Sequence, residues 1–202
     1  MRSKAGTRFD WAHPDQQTAS LREETLSCRT EWSGRVFSVE TQRISLPDQS
    51  IHDREMVRHS GGSCILPLDD EGNCYLVSQF RIPYAEITVE APAGKLDEGE
   101  DPRLCAIREL KEETGFTAKT VTDLGQIYPS PGYVDEVLSL YLARGLTRGE
   151  QSLDDGEFLQ VIRVPFEEAV EAALSGELRD AKTVVALLKA DALLRQRTED
   201  ND

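Results

Sequence analysis

Glu109, Glu112 and Glu113, directly behind Arg108 and just ahead of Gly115, concentrate charge on one short stretch of a 202-residue chain. At roughly 100° per residue in a helix, carboxylates at i, i+3 and i+4 share a face. They repel one another unless a cation stands among them, and hard oxygen donors of this kind suit magnesium, with manganese as a substitute. A solvated acidic face is the ordinary explanation of such a cluster. The residues around it argue for a built site instead.

A helix must hold the cluster, and its ends are marked. Asp101 can cap the first turn, Pro102 suits the first helical position, and Gly115 suits the left-handed residue that closes a helix. The spacing therefore predicts a helix from about Asp101 to Thr114, with Leu104, Ile107 and Leu110 on the face nearly opposite the acids and turned into a core.

Gly94 to Phe116, GKLDEGEDPRLCAIRELKEETGF, also fits a longer pattern, G-x5-E-x7-R-E-U-x-E-E-x-G-U with U apolar. Gly94, Glu100, Arg108, Glu109, Leu110, Glu112, Glu113, Gly115 and Phe116 fill every fixed position. This is the Nudix box, and the chain resembles the Nudix hydrolases, whose motif requires the capped amphipathic helix read above. The resemblance implies hydrolysis of a nucleoside diphosphate linked to another group, by attack of water on a phosphorus bridged by metal ions. It implies Glu109 and Glu113 as metal ligands, Glu112 as a ligand or a supporting acid, the Ala93 carbonyl as a further donor, and Glu100 in support of the loop or a second metal. Arg108 is expected to orient these carboxylates by ion pairing. Gly94 is expected to let the backbone turn so that the carbonyl before it faces metal.

Residues outside the box narrow the resemblance. Gln79-Phe80-Arg81, Glu90-Ala91-Pro92-Ala93-Gly94 and Ser130-Pro131-Gly132 are similar to the pattern of the ADP-ribose pyrophosphatase and nucleoside diphosphate sugar hydrolase branch, with Pro131 sixteen residues after Gly115. ADP-ribose is the substrate this implies, and GDP-mannose or another sugar nucleotide is the alternative. The branch takes its general base from a later acidic loop, which Asp154-Asp155-Gly156-Glu157 resembles; Glu157 is the candidate for that base or for a late-arriving metal ligand, with Asp155 the fallback, against a plain Asp-Gly turn. Arg81 can clamp a pyrophosphate with its planar fork, Glu90 can accept a bond from a ribose or base, and Trp32 can stack on the base. No aromatic stands just ahead of Arg54 to complete a base sandwich. A nucleotide-sensing domain without catalysis is the rival reading, and its usual mark, loss of the metal carboxylates, is absent.

The net charge of −14 excludes a broad nucleic-acid surface and would repel a pyrophosphate unless bound cations reverse the local sign. No apolar run approaches twenty residues, and MRSKAGTRFDWAHPDQQ lacks the apolar stretch of a signal peptide, so no membrane is expected and the cytoplasm is the expected compartment. Cys28, Cys64, Cys74 and Cys105 have no paired spacing and read as small hydrophobes.

Residues 1–20 read as a polar tail with the composition of a disordered segment. Residues 21–59 suggest a small antiparallel β unit, with strands at 35–39 and 55–58 broken at Leu46-Pro47-Asp48; by resemblance it packs across a homodimer. Residues 60–202 form the hydrolase domain, with strands near 64–67, 75–78, 87–89, 125–128, 138–142 and 158–164. Asp70 to Asn73 supplies a hairpin turn. Helices follow at 166–173 and 181–195, the second with a core stripe of Val184, Leu187, Leu188 and Leu194. The fold class is α/β: a Nudix α/β/α sandwich with a mixed sheet, plus the small N-terminal antiparallel unit.

Overall fold

The computed structural model describes residues 18–199 together with Trp11 and Pro14, with side chains to residue 196. Most of the expected polar tail thus lies outside the described residues. The chain divides between Arg58 and His59 into two compact units.

In the first unit, β1 (Glu24–Ser33), β2 (Phe37–Ser45) and β3 (Ile51–His59) form one sheet in the order β1-β2-β3, with β1 and β2 antiparallel. Sequence reasoning expected two strands there. It missed β1 because ETLSCRTEWS has no apolar alternation, and every residue of that strand is exposed.

In the second unit, β4 (Gly62–Pro67), β7 (Ala93–Lys95), β8 (Phe116–Ile127) and β9 (Leu138–Arg148) make a four-stranded sheet in the order β7-β4-β9-β8. The β4–β9 pair is parallel and its neighbours are antiparallel, so the sheet is mixed. A second sheet, β10-β5-β6, holds β5 (Asn73–Arg81), β6 (Glu86–Glu90) and β10 (Leu159–Pro165). The Asp70-to-Asn73 turn forms, but after the single bridge of Leu68 to Cys74 the two arms part into different sheets.

β4 is buried along its whole length, as a central strand with a parallel neighbour must be. Alternation sends Cys64 and Leu66, with Leu140 and Leu142 of β9, into one core, where they meet helices α2 (Phe166–Ser175) and α3 (Ala181–Glu199). It sends Ile65, with Tyr141 and Ala143, into another, against Ala106 and Leu110 of helix α1 (Pro102–Thr114). The layers are α/β/α. The stripe of Val184, Leu187, Leu188 and Leu194 on α3 belongs to the first core.

Helix α1 starts where its signals place it: the Asp101 carboxylate accepts from the N–H groups of Arg103 and Leu104, and Gly115 closes the helix at φ 75°. Its buried face differs from the expected one. Leu104 is 61% and Ile107 38% exposed, while Cys105, Ala106, Leu110 and Glu113 are buried. Small residues let the helix lie close on β4, so the acid-bearing side turns inward and the larger aliphatics stay outside. Cys64, Cys74 and Cys105 fill core positions, but Cys28 is exposed. Among the described residues no helix is long and apolar enough to cross a membrane.

Candidate active site

Arg108 is the hub of the acidic face of α1. Its guanidinium donates to both oxygens of Glu100 at 3.0 Å, to Glu109 at 2.6 Å, to Glu112 at 3.0 Å and to the Lys95 carbonyl at 3.2 Å. This fork holds Glu100 down at about 2. Glu109 behaves oppositely: burial raises its pKa, which Arg108 counters and Glu112 and Glu157 reinforce.

Glu113 is the buried member, 2% exposed. Its carboxylate accepts the Ala93 N–H at 3.0 Å, yet burial first and Glu109 second push it up to about 8. β7 explains the contact. Pro92 and Leu96 face inward, Pro92 accepting from Ile65 and Leu96 donating to Gly61, so the peptide groups of Ala93 and Lys95 point away from β4. On that outer edge Glu113 takes the Ala93 N–H and Arg108 takes the Lys95 carbonyl. The Ala93 carbonyl opens on the same side.

Gly94 has a different reason from the expected one. It is not among the glycines with positive φ; instead, a Cβ built on it would stand 1.8 Å from a Glu109 oxygen. Only glycine lets the Glu109 carboxylate lie against the β7 backbone.

Residues 149–157 approach from the far end of α1. The Gly115 carbonyl accepts from Gly149 N–H at 2.8 Å, the Glu112 carbonyl from Ser152 N–H at 3.0 Å, and the Glu113 carbonyl from the Gln151 side chain at 2.6 Å. These bonds satisfy carbonyls that a helix end otherwise leaves unpaired. The Asp-Gly segment does form a turn, in which Glu157 donates its N–H to Asp154 and accepts from the Asp154 N–H at 3.3 Å. Glu157 also acts electrostatically on both Glu109 and Glu113, whereas Asp155 is exposed. Gln151 was invisible to motif reasoning, since no spacing marks it.

Pro131 and Gly132 lie in a turn in which Val134 N–H bonds Ser130 at 3.1 Å. The register Lys95–Gly62–Leu138 sets the following β9 start at the sheet end where Lys95 meets Arg108. Exposed Tyr128 and Tyr133 flank the turn.

Arg81 and Glu90 are not independent groups. Glu90 is 3% exposed, and its oxygens accept from Arg81 twice at 2.7 Å, from Thr88 at 2.6 Å and from Lys182. All four lone-pair positions are taken, so the expectation that Glu90 receives a substrate hydrogen bond does not fit this geometry. Trp32, 52% exposed, belongs to the first unit, where its ring lies over Gly34 with its centroid 5.2 Å from that of Phe37.

Among the described residues no three acidic, His or Cys side chains are arranged as a metal-holding group; Arg108 and the Ala93 N–H engage the acids of α1. The donor set nonetheless fits a divalent cation. Glu109 and Glu113 are crowded carboxylates whose like charges lack full compensation, and the oxygens around them are hard.

A NUDIX domain model matches residues 57–187. The chain is 41% identical to an ADP-ribose pyrophosphatase of Bacillus subtilis over 83% of its length and 92% of the relative's. It is 38% identical to a methanol dehydrogenase activator of Bacillus methanolicus, covering 83% of this chain and 91% of that one. A GDP-mannose pyrophosphatase of Cronobacter sakazakii is 33% identical over 67% of this chain and 76% of its own. A solved ADP compounds hydrolase shares the fold with a TM-score of 0.77 at 22% identity, covering 87% of this chain and 96% of that one. With its box complete, its helix capped and its family model matched over most of its length, the chain belongs to the NUDIX family.

Proposed function

We propose that the chain hydrolyses the pyrophosphate bond of a nucleoside diphosphate sugar, with ADP-ribose as substrate and AMP and ribose 5-phosphate as products. The observation that carries this reading is the convergence of Glu109, Glu113 and the outer edge of β7, with Glu157 within electrostatic reach. The 41% identical ADP-ribose pyrophosphatase supports the substrate.

Nudix hydrolases work with divalent metal ions. Here Glu109, Glu113, Glu112, Glu100 and the Ala93 carbonyl would hold Mg2+, or Mn2+ in its place. Such ions neutralise the diphosphate, polarise its phosphoryl oxygens and acidify water. The chain's own residues do the rest. Arg108 gathers Glu100, Glu109 and Glu112 on one guanidinium and aims their carboxylates at the site where such ions would sit. Glu157 takes the proton of the attacking water, its loop hinged on Gly149 to Ser152. Arg81, fixed by Glu90, presents charge to the diphosphate, the Pro131-Gly132 turn borders the sugar, and Trp32 stacks on the base.

A homodimer formed through the first unit belongs to the same reading, supported by exposed Leu26, Trp32, Phe37 and Ile51 on its sheet. Free cysteines fit a reducing cytoplasm. The similarity to a GDP-mannose pyrophosphatase keeps that substrate as the second reading.

The test is phosphate release, coupled to a phosphatase, from ADP-ribose, GDP-mannose, ADP-glucose, UDP-glucose, NADH and diadenosine compounds, each with magnesium, manganese or EDTA. Metal-dependent turnover led by ADP-ribose is the expected result. Preference for GDP-mannose would move the substrate and keep the chemistry, and silence throughout would favour a nucleotide-sensing domain.

A further inference from the structure

We propose that Asp180, Lys182 and Thr183, at the start of α3, are positioning residues that fix the Ala93 edge of β7 against Glu113. The inference rests on the metal site described above and extends it to a helix that carries none of the box.

The residues form one buried chain of contacts. Thr183 is 0% exposed; its hydroxyl accepts the Ala91 N–H at 2.7 Å and donates to Asp180 at 2.5 Å. Asp180 also accepts the Thr183 N–H at 3.0 Å, so it caps α3 while orienting the hydroxyl. Lys182 bonds Asp180 at 2.9 Å and reaches Glu90, whose other partners are Arg81 and Thr88. Glu90 and Ala91 are consecutive, and both are thus tied to α3. Two residues later the Ala93 N–H meets Glu113.

Geometry explains why two residues matter. The Glu90–Ala93 segment crosses from the sheet of β6 to the sheet of β7, and Pro92 stiffens its middle while its carbonyl accepts from Ile65 at 2.9 Å. With Ala91 held on one side and Pro92 on the other, the Ala93 peptide has little freedom to rotate. The carbonyl that would face a cation is therefore aimed by a hydroxyl on another element.

Capping alone would not require this chemistry. Asp180 suffices to cap α3, and an apolar side chain could fill the space of Thr183. Instead the cap residue engages an ammonium and a hydroxyl that each reach the β6–β7 crossing. Lys182 also acts electrostatically on Glu113 itself, opposing the rise that burial and Glu109 impose. Burial works against the Lys182 charge, but Asp180 and Glu90 outweigh it and keep the ammonium protonated.

The test compares Thr183→Val, which keeps shape and removes the hydroxyl, with Thr183→Ser, which keeps the hydroxyl. Binding of Mn2+ alone is measured by calorimetry and by the metal-induced rise in Tm, beside kcat and KM for ADP-ribose. Thr183→Val is expected to weaken Mn2+ binding by about tenfold to a hundredfold, as loss of a ligand-orienting contact does. KM should stay within about twofold of wild type, and Thr183→Ser should recover most of the metal affinity. Asp180→Asn, which keeps the cap acceptor but removes its charge, gives a smaller weakening and serves if Thr183→Val does not fold. Wild-type Mn2+ affinity in folded Thr183→Val, or in Asp180→Asn where it stands in, would overturn the inference alone. Absence of any metal response in the wild-type protein would remove the metal site and this inference with it.

Discussion

Each glutamate of the box has its own surroundings, so equal substitutions have unequal effects. Glu113 is buried beside another carboxylate, and its charge is a liability to the metal-free fold. Glu113→Gln should therefore keep or raise the metal-free Tm while turnover falls at least about a hundredfold, a combination that differential scanning calorimetry and steady-state assays read together. A lower Tm would contradict this account of Glu113. Glu157→Gln should lower kcat by about 10²–10⁴ with little change in KM, the signature of a lost base, while Asp155→Asn stays near wild type. Gly94→Ala should drive the Glu109 carboxylate off the β7 backbone, lowering turnover by at least about tenfold while the unfolding free energy in denaturant titration changes by less than about 1 kcal/mol, because only the flexible tip of Glu109 must move. Much of this site can be read from the chain, because the box is local and its residue types are constrained. Gln151, Lys182 and Thr183 cannot, since their partners lie 38 and 92 residues away and no spacing announces them.

Helix α1 shows where local signals stop. Its ends were legible because capping is a contest among neighbouring residues, and Asp101, Pro102 and Gly115 settle it within one turn. Its buried face was not, because that is decided by how closely β4 approaches, and Cys105 and Ala106 permit a contact that Leu104 and Ile107 would block. Leu110→Ala should accordingly cost about 2–5 kcal/mol in chemical denaturation, whereas Leu104→Ala and Ile107→Ala should each stay within about 0.5 kcal/mol. Equal losses at the three positions would restore the face read from periodicity. The missed strands have similar explanations. β1 has no dry side to impose alternation, and β7 is three residues held by β4 and by the acids of α1.

The whole molecule carries a net charge of −14, and its buried ion pairs set how it meets acid. Burial pushes Glu90 up, but Arg81, Lys182 and Thr88 outweigh it and hold the group at about 2 against an ordinary 4.5. A depressed folded pKa contributes stability that is fully present above about pH 4.5 and lost as pH falls toward 2, on the order of 3 kcal/mol for Glu90. Glu100 titrates in the same window. Below about pH 4.5, where the raised pKa of Glu113 no longer changes the balance, unfolding free energies measured down to about pH 3 should fall with pH in the wild type and less steeply in Glu90→Gln. In solution the proposed dimer should show twice the chain mass of 22.6 kDa by light scattering, and Leu26→Glu with Ile51→Glu should halve it. The fold class, the order of most elements and the box were legible across this scale, while the split into separate sheets was not, because a hairpin turn looks the same whether its arms stay paired or part. The long-range bond from Thr183 to Ala91 bears on the making of the protein. As the chain leaves the ribosome, all of the box emerges long before α3, and so does the Glu157 loop. β4 must wait for β9, and the β6–β7 crossing must wait for Thr183, before the edge that faces Glu113 is held on both sides. A nascent chain stalled short of α3 would bear the full motif without the edge that Thr183 holds, so the box by itself is not yet a finished site.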